Sequence, residues 1–420
     1  MIKTELLDYF HQKADHRGLP HIKNAEWLSF RDYGKDDIRD SFAHYIVSNN
    51  VVFPLKEISE KKMSELFVKF ANTSMLSEYK NFTTVDEKFD YAYKYEHIPL
   101  GVIDKSHVYN AVSNYFQQEN RMRCGSLICS SPMDIWKDEQ KLAKMNWHWW
   151  RSTLGNSDVS HSTMRSGFRI GTYTATQFKP AVAKALYEKH NARNILDTSC
   201  GWGDRLAGFY ATPSTQRYVG CDPNPEVYET YKKQCIAYEK LLGGNPVLEE
   251  HNDFFICRGL KTVEIYNRPA EDILWKNFGR VFDFYFTSPP YFNTETYGTT
   301  GGKSDLQSWS RYDTFQKWRD NFFFKVNRDV WESLKDDAYM MINIVEPQNK
   351  GRSRHNLCDS MVEDILKLPK SNYVGKIGMR MMGRPHTKEL KAIFIEPVWV
   401  FRKNNSNYPQ NSPFSLFPLI

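Results

Sequence analysis

From Asn194 onward, short apolar runs recur between stretches with helical spacing, and this alternation limits what the chain can fold into more than any other feature. The runs are Asn194-Ile195-Leu196-Asp197, Tyr218 to Cys221, Val263 to Tyr266, Val281 to Phe286 and Tyr339 to Ile344. Each is too short for a helix of its own, and most are separated by helical candidates, as crossovers between parallel strands require. Phe178, Val182 and Leu186 repeat at helical spacing just ahead of the first run. Tyr373 to Met379 and Val398 to Phe401 have no strong helix between them, which predicts an antiparallel hairpin on one sheet edge. Beyond Arg402 the chain is rich in Asn, Ser and Pro and reads as a loose tail over 404–420.

Residues 1–160 read differently. Their apolar positions, such as Met63, Leu66, Phe67 and Phe70, fall at helical spacing, so this part is expected to be mainly helical. It shows no glycine-rich phosphate loop, internal repeat or metal-ligand cluster. The stretch Met145 to Arg151 sets aromatic residues beside basic and polar ones, and a core helix and a base-contacting surface are both open readings of it.

The first run opens onto Asp197-Thr198-Ser199-Cys200-Gly201-Trp202-Gly203-Asp204-Arg205, and a helix is expected from Leu206 to Tyr210. Two glycines one residue apart let the backbone turn tightly and let a ligand lie against it. The full dinucleotide fingerprint needs a third glycine where this chain has Leu206, which weighs against a dehydrogenase. Asp222 ends the next strand, where a carboxylate can accept from both hydroxyls of a ribose or, alternatively, cap the helix after Pro223. Glu271 and Asp272 follow the third strand, placed either to meet an adenine or to cap a helix beginning near Ile273.

The fourth strand runs into Thr287-Ser288-Pro289-Pro290-Tyr291-Phe292, the most specific signal in the chain. A conjugated amine is a poor nucleophile because its lone pair is delocalised. Hydrogen bonds accepted from its NH2 group, here by Ser288 Oγ and the Pro289 carbonyl, raise the charge on nitrogen. Pro289 and Pro290 have fixed φ and no N–H, so they present carbonyls in a stiff geometry. Tyr291 can stack on an extruded base, with Phe292 beside it. Neither a metal nor a strong general base is needed, because a sulfonium donor leaves as a neutral sulfide.

Residues 178–402 resemble the S-adenosylmethionine-dependent amino-methyltransferases that act on nucleic-acid bases: Asp197 to Gly203 is similar to their cofactor motif and Ser288 to Tyr291 to their catalytic tetrapeptide. The resemblance implies a Rossmann-like α/β sheet and S-adenosylmethionine as cofactor. It implies cofactor contacts from Asp197, Ser199, Gly201, Gly203 and Asp222, from Glu271 and Asp272, and from Thr287. Phe178 would close over the methionine end, although it also fits as ordinary helix core. The Ser-Pro-Pro-Tyr form resembles cytosine-N4 enzymes, so cytosine N4 in DNA is the expected target, with adenine N6, an RNA base and a catalytically silent binding subunit as alternatives. Trp202, Asp204 and Arg205 depart from the restriction-associated pattern, and no large insert separates the two motifs. Target recognition is therefore expected from residues 1–160, ahead of a catalytic domain over 161–403.

Composition agrees with such a substrate without pointing to it. Net charge is +6, from 56 basic and 50 acidic residues, which permits one basic groove but not a polycation. The 27 Phe, 24 Tyr and 11 Trp can serve as core or as platforms for bases. Seven scattered cysteines, none spaced as CxxC, are expected to be free thiols in a reducing compartment, which with the absence of a membrane-length apolar run predicts a cytoplasmic protein without membrane association.

Overall fold

The computed structural model describes residues 2–27, 30, 32–81, 87–89, 93–95, 97–102, 107–126, 129–145, 158–297, 305–347, 354–380 and 393–404. The stretch Asn146 to Arg151 and the tail beyond Asn404 lie outside the described residues. Two compact units divide the chain. One comprises Met1–Ile58, Gln118–Thr176 and Glu295–Lys303, the other Ser59–Gln117, Gln177–Thr294 and Ser304–Ile420.

Every strand among the described residues lies in the second unit. These are β1 (Tyr79–Asn81), β2 (Glu87–Phe89), β3 (His97–Val102), β4 (Asn194–Asp197), β5 (Arg217–Cys221) and β6 (Val247–Glu250), then β7 (Phe254–Arg258), β8 (Thr262–Tyr266), β9 (Phe282–Thr287), β10 (Leu334–Asn343), β11 (Ser371–Arg380) and β12 (Ile393–Lys403). The sheet order is β1-β3-β11-β12-β10-β9-β4-β5-β8-β7-β6, with β2 beside β12. Its centre, β10-β9-β4-β5-β8, is parallel throughout. The chain winds outward from β4 through β5 to β8 and returns to the other side of β4 with β9 and β10. This makes a doubly wound, Rossmann-like α/β sheet whose order reverses between β4 and β9.

The central strands form where the apolar runs predicted them, because a strand covered on both faces needs an unbroken apolar sequence. The connecting helices are equally explicable. Helix Pro225–Leu241 begins with Asn224, whose side chain accepts from Glu226 N, and carries Pro225 at its first position. A core of Leu196, Val219, Tyr285, Met340, Trp331 and Trp399, among others, is sealed on one face of the sheet.

The β11–β12 hairpin forms as predicted and is antiparallel, bulged between Tyr373 and Gly375. It is not the end of the sheet: β3 pairs with β11 and β1 with β3. These strands come from residues 59–117, so the expected boundary at 160/161 does not coincide with the division of the chain. Segment 59–117 also supplies helices to the sheet unit. Phe67 stacks on Tyr238 at 4.5 Å, and Tyr238 donates to the Val112 carbonyl. Lys184 Nζ donates to the Phe70 and Ala71 carbonyls, closing helix Glu60–Ala71.

The first unit is helical among its described residues, with helices Thr4–Lys13, Lys35–Ser48, Pro132–Trp136 and His161–Gly171 around Phe10, Phe42, Phe53, Trp136 and Phe168. A Ser160–Thr163 capping box starts the last of these helices. No helix among the described residues is long and apolar enough to cross a membrane. None of the seven cysteines is disulfide-bonded, and six are buried.

Candidate active site

The candidate residues lie at the carboxyl ends of β4, β5, β8 and β9, at the point where the strand order reverses, the place at which open α/β sheets bind ligands. The turn after β4 is shaped by Gly201 at φ +57° and Gly203 at φ +68°, a region that disfavours side chains. Gly203 is doubly constrained, because a Cβ there would collide with the Gln234 side-chain amide. The same residue opens helix Asp204–Ala211, which starts two residues before the expected Leu206.

Asp197 lies under this turn, completely buried. Arg205 Nε donates to its Oδ2 at 2.7 Å, Tyr218 OH to Oδ2 at 2.6 Å, Thr287 Oγ1 to Oδ1 at 3.0 Å and Ser199 N to Oδ1 at 3.1 Å. Both carboxylate oxygens are thus occupied by the protein, and Asp197 acts as a tie among β4, β5, β9 and the turn. Thr287 and Ser199 belong to that tie. Arg205 is also buried, and its guanidinium lies 5.4 Å from the centre of the Phe178 ring. Phe178 stands two residues ahead of helix Pro180–Lys189 rather than inside it, half-buried, with its ring edge against Phe286.

Asp222 faces the turn from the end of β5. Gly201 N donates to Oδ2 at 3.0 Å, Asn224 N to Oδ1 at 3.0 Å and Tyr231 OH to Oδ2 at 3.3 Å. The helix cap is Asn224, so the capping alternative for Asp222 is not what the structure shows. Burial pushes its carboxyl up to about 6, against these hydrogen bonds.

Glu271 and Asp272 lie in a short 3-10 turn, Ala270–Asp272, and no α-helix begins at Ile273. Arg311 holds both carboxylates, at 2.8 Å from Glu271 Oε1 and 2.9 Å from Asp272 Oδ1, while Asp272 is exposed. Glu271 Oε2 is buried with no hydrogen-bond partner, and burial raises its carboxyl above the ordinary range. An adenosyl group fits this donor and acceptor set: the glycine turn lets a ligand approach the backbone, Asp222 offers acceptors beside it, and the orphaned Glu271 oxygen needs a donor such as an exocyclic amine.

Ser288 leaves β9 half-buried, and its Oγ donates to Asn343 Oδ1 at 3.3 Å. Asn343, buried at the end of β10, donates through Nδ2 to the Pro397 carbonyl at 3.1 Å. A carbonyl only accepts, so the amide has one orientation, and its oxygen takes the Ser288 proton. The lone pairs of Ser288 Oγ remain to accept. No described residue donates to the Pro289 carbonyl. Tyr291 is half-buried at the rim of the core, and Phe292 follows at φ +50°, a costly conformation for a non-glycine residue, held by packing on Trp318, Phe315 and His355.

Four contributors escaped the sequence reading: Arg205, Tyr231, Arg311 and Asn343. Asn343 carried a signal, a lone polar residue in the apolar run Tyr339 to Ile344.

No family model matches the chain, and no curated protein does. Among solved structures it is similar to Trm1 from Pyrococcus horikoshii in complex with S-adenosyl-L-methionine, at TM-score 0.32 and 15% identity over 55% of this chain and 57% of that one. It is similar to an rRNA methylase from Streptococcus thermophilus, at TM-score 0.31 and 9% identity over 55% of this chain and 100% of that one. It is also similar to the Burkholderia thailandensis 1,6-didemethyltoxoflavin-N1-methyltransferase, at TM-score 0.31 and 14% identity over 53% of this chain and 77% of that one.

Proposed function

We propose that the chain binds S-adenosylmethionine and methylates an exocyclic amino group of a nucleic-acid base, with cytosine N4 in DNA as the preferred atom. The observation that carries this reading is Ser288: its proton is committed to Asn343, so its oxygen is left as an acceptor at the strand end beside the glycine turn. The cofactor, when bound, supplies an electrophilic methyl group on a sulfonium.

The chain's part is to bind and orient. Gly201 and Gly203 shape the backbone against the cofactor, Asp222 accepts from the ribose hydroxyls through lone pairs its internal bonds leave over, and Glu271 Oε2 accepts from the adenine amine. Asp197 and Thr287 fix the strand ends without touching the ligand. Ser288 Oγ and the Pro289 carbonyl accept the two N–H groups of the target amine and turn its nitrogen toward the methyl group. The amine's surplus proton leaves after transfer to solvent. Tyr291 stacks on the extruded base. The helical unit, with segments 1–58 and 118–176, contributes target recognition in this reading.

The test is incubation of the full chain with isotope-labelled cofactor and with DNA or RNA, followed by mass analysis of the nucleosides. N4-methylcytosine from DNA is expected. Methyladenine, or label in RNA alone, would move the target within the same chemistry, and unlabelled nucleic acid throughout would overturn the reading.

A further inference from the structure

In the helical unit, two imidazoles from distant parts of the sequence converge on one carboxylate oxygen. Asp15 Oδ2 lies 3.0 Å from His21 Nε2 and 2.6 Å from His161 Nε2, and all three atoms lie within 4.8 Å of one another. We propose that Asp15, His21 and His161 form a binding site for a borderline divalent cation, zinc foremost, with a fourth coordination position open to water.

The backbone builds this convergence. Asp15 Oδ1 is pinned by Arg17 N at 2.8 Å and Leu19 N at 3.1 Å, which aims Oδ2 outward from the turn. The turn closes through the Ala14–Pro20 bridge and delivers His21 to the same side as Asp15. The Ile22–Val159 bridge then brings up Ser160, and the capping box fixes His161 as the first residue of its helix.

The chemistry suits zinc. Two neutral imidazoles and one carboxylate are a common ligand set for sites that keep an open position. Backbone donors occupy Asp15 Oδ1 and leave Oδ2 facing the Nε2 atoms of His21 and His161, so each residue offers one ligand atom to the same point. The Arg17 guanidinium is engaged by the carbonyls of Phe53 and Leu55 and by Glu57. A tetrahedral zinc would hold its ligand atoms about 3.3 Å apart, from bonds of about 2.0–2.1 Å. The 3.0 Å between His21 and Asp15 Oδ2 is near that spacing, while the 2.6 Å between His161 and Oδ2 must widen by about 0.7 Å for the ion to enter. The ion would clip the N-terminal turn to the start of a helix some 140 residues later, a link that stabilises the fold by the binding free energy.

The competing reading is a carboxylate that merely accepts two imidazole N–H bonds. Full-length protein, dialysed against zinc and then against metal-free buffer, should retain one zinc per chain by elemental analysis. His21→Ala, at an exposed position, should retain at least tenfold less, and His161→Ala likewise. Zinc should raise the melting temperature of the wild type and leave that of His21→Ala unmoved. Cobalt in place of zinc should give the absorption of a four-coordinate site in the wild type alone. Equal zinc content in wild type and His21→Ala, or none in either, would overturn the site, and the His21 variant decides the matter even where the His161 variant fails to fold.

Discussion

Asp222 is the residue whose titration has the most direct reading. Its carboxyl titrates at about 6 in the folded chain, raised by burial from an ordinary 3.8. Between pH 4 and 6 the folded chain therefore holds a proton that the unfolded chain gives up. The contribution favours folding below pH 4 and is lost as pH rises through 6. Asp222→Asn should flatten this part of the stability–pH curve in denaturant titrations, and an unchanged slope would assign the shift elsewhere. Cofactor affinity moves the other way, since only the ionised carboxylate accepts on all its lone pairs. Calorimetry should show wild-type affinity falling below pH 6, and Asp222→Ala should bind roughly ten- to a hundredfold more weakly at pH 7.5, the size of a charge-assisted hydrogen bond of about 1.5–3 kcal/mol. Ser288→Ala and Tyr291→Ala should leave that affinity intact while methyl transfer falls by about a hundredfold for the serine. Asn343→Ala frees the Ser288 hydroxyl to rotate, and kcat should fall about five- to tenfold, the worth of one net hydrogen bond of about 1 kcal/mol. Wild-type turnover in Asn343→Ala would show that the serine needs no orienting.

At the scale of elements, the turn between β4 and helix Asp204–Ala211 concentrates the constraints. Gly203→Ala puts a Cβ at positive φ and into the Gln234 side chain, so both the turn and its cofactor affinity should suffer, with an expected stability loss of about 1–2 kcal/mol in thermal melts. Arg205→Met leaves Asp197 buried with two hydroxyl donors and a backbone N–H but no cation, and should cost about 3–5 kcal/mol by denaturant titration. The sequence did reveal the motif and the five central strands, because strands buried on both faces write themselves as apolar runs. It did not reveal the role of Arg205, which stood out only as a departure from a pattern. β6 went unread because Val247–Glu250 has two apolar residues followed by two glutamates and no buried position, whereas β7 did carry a signal, the apolar run Phe254 to Cys257. The stretch Asn293 to Arg311, rich in Gly, Thr and Ser, reads in sequence as a loop, and it is anchored at both ends: Tyr173 and Tyr297 donate to Glu295, Thr296 bridges to Gly125, and Ser308–Arg311 is helical. Residues 298–304 between them lie outside the described residues. Similarly, Asp15, His21 and His161 form no motif in sequence, because only the fold brings their segments together.

At the scale of the whole molecule, the chain is not two domains in succession. It enters the helical unit, leaves it at Ser59, returns at Gln118, leaves again at Gln177 and passes back through Glu295–Lys303. A linear reading divides at the point where the composition changes, which here falls inside the helical unit, after Met145 and before His161. This has a physical consequence for the fragment 161–403, the one that a sequence-based division recommends. That fragment lacks β1 and β3, so β11 keeps a bare edge of unpaired backbone groups. It lacks Phe67 and Val112 over Tyr238, and the Ser113 hydroxyl and Gln117 amide that hold Asp204 and Gln234 beside the glycine turn. Losing a stacked aromatic pair, a capped helix and a sheet edge together removes contributions comparable with the roughly 5–15 kcal/mol by which folded domains exceed their unfolded chains. The fragment should therefore aggregate or melt without a cooperative transition, whereas the full chain melts cooperatively. Recognition is better sought in the intact protein, by replacing lysines and arginines of segments 1–58 and 118–176 with glutamine. If that unit meets phosphates, each basic side chain that neutralises one should, on removal, lower the slope of log affinity against log salt by about 0.9 for duplex DNA. A 161–403 fragment that folds, binds cofactor as tightly as the full chain and methylates the same sites with the same salt dependence would refute both the interleaved architecture and the role given to the helical unit.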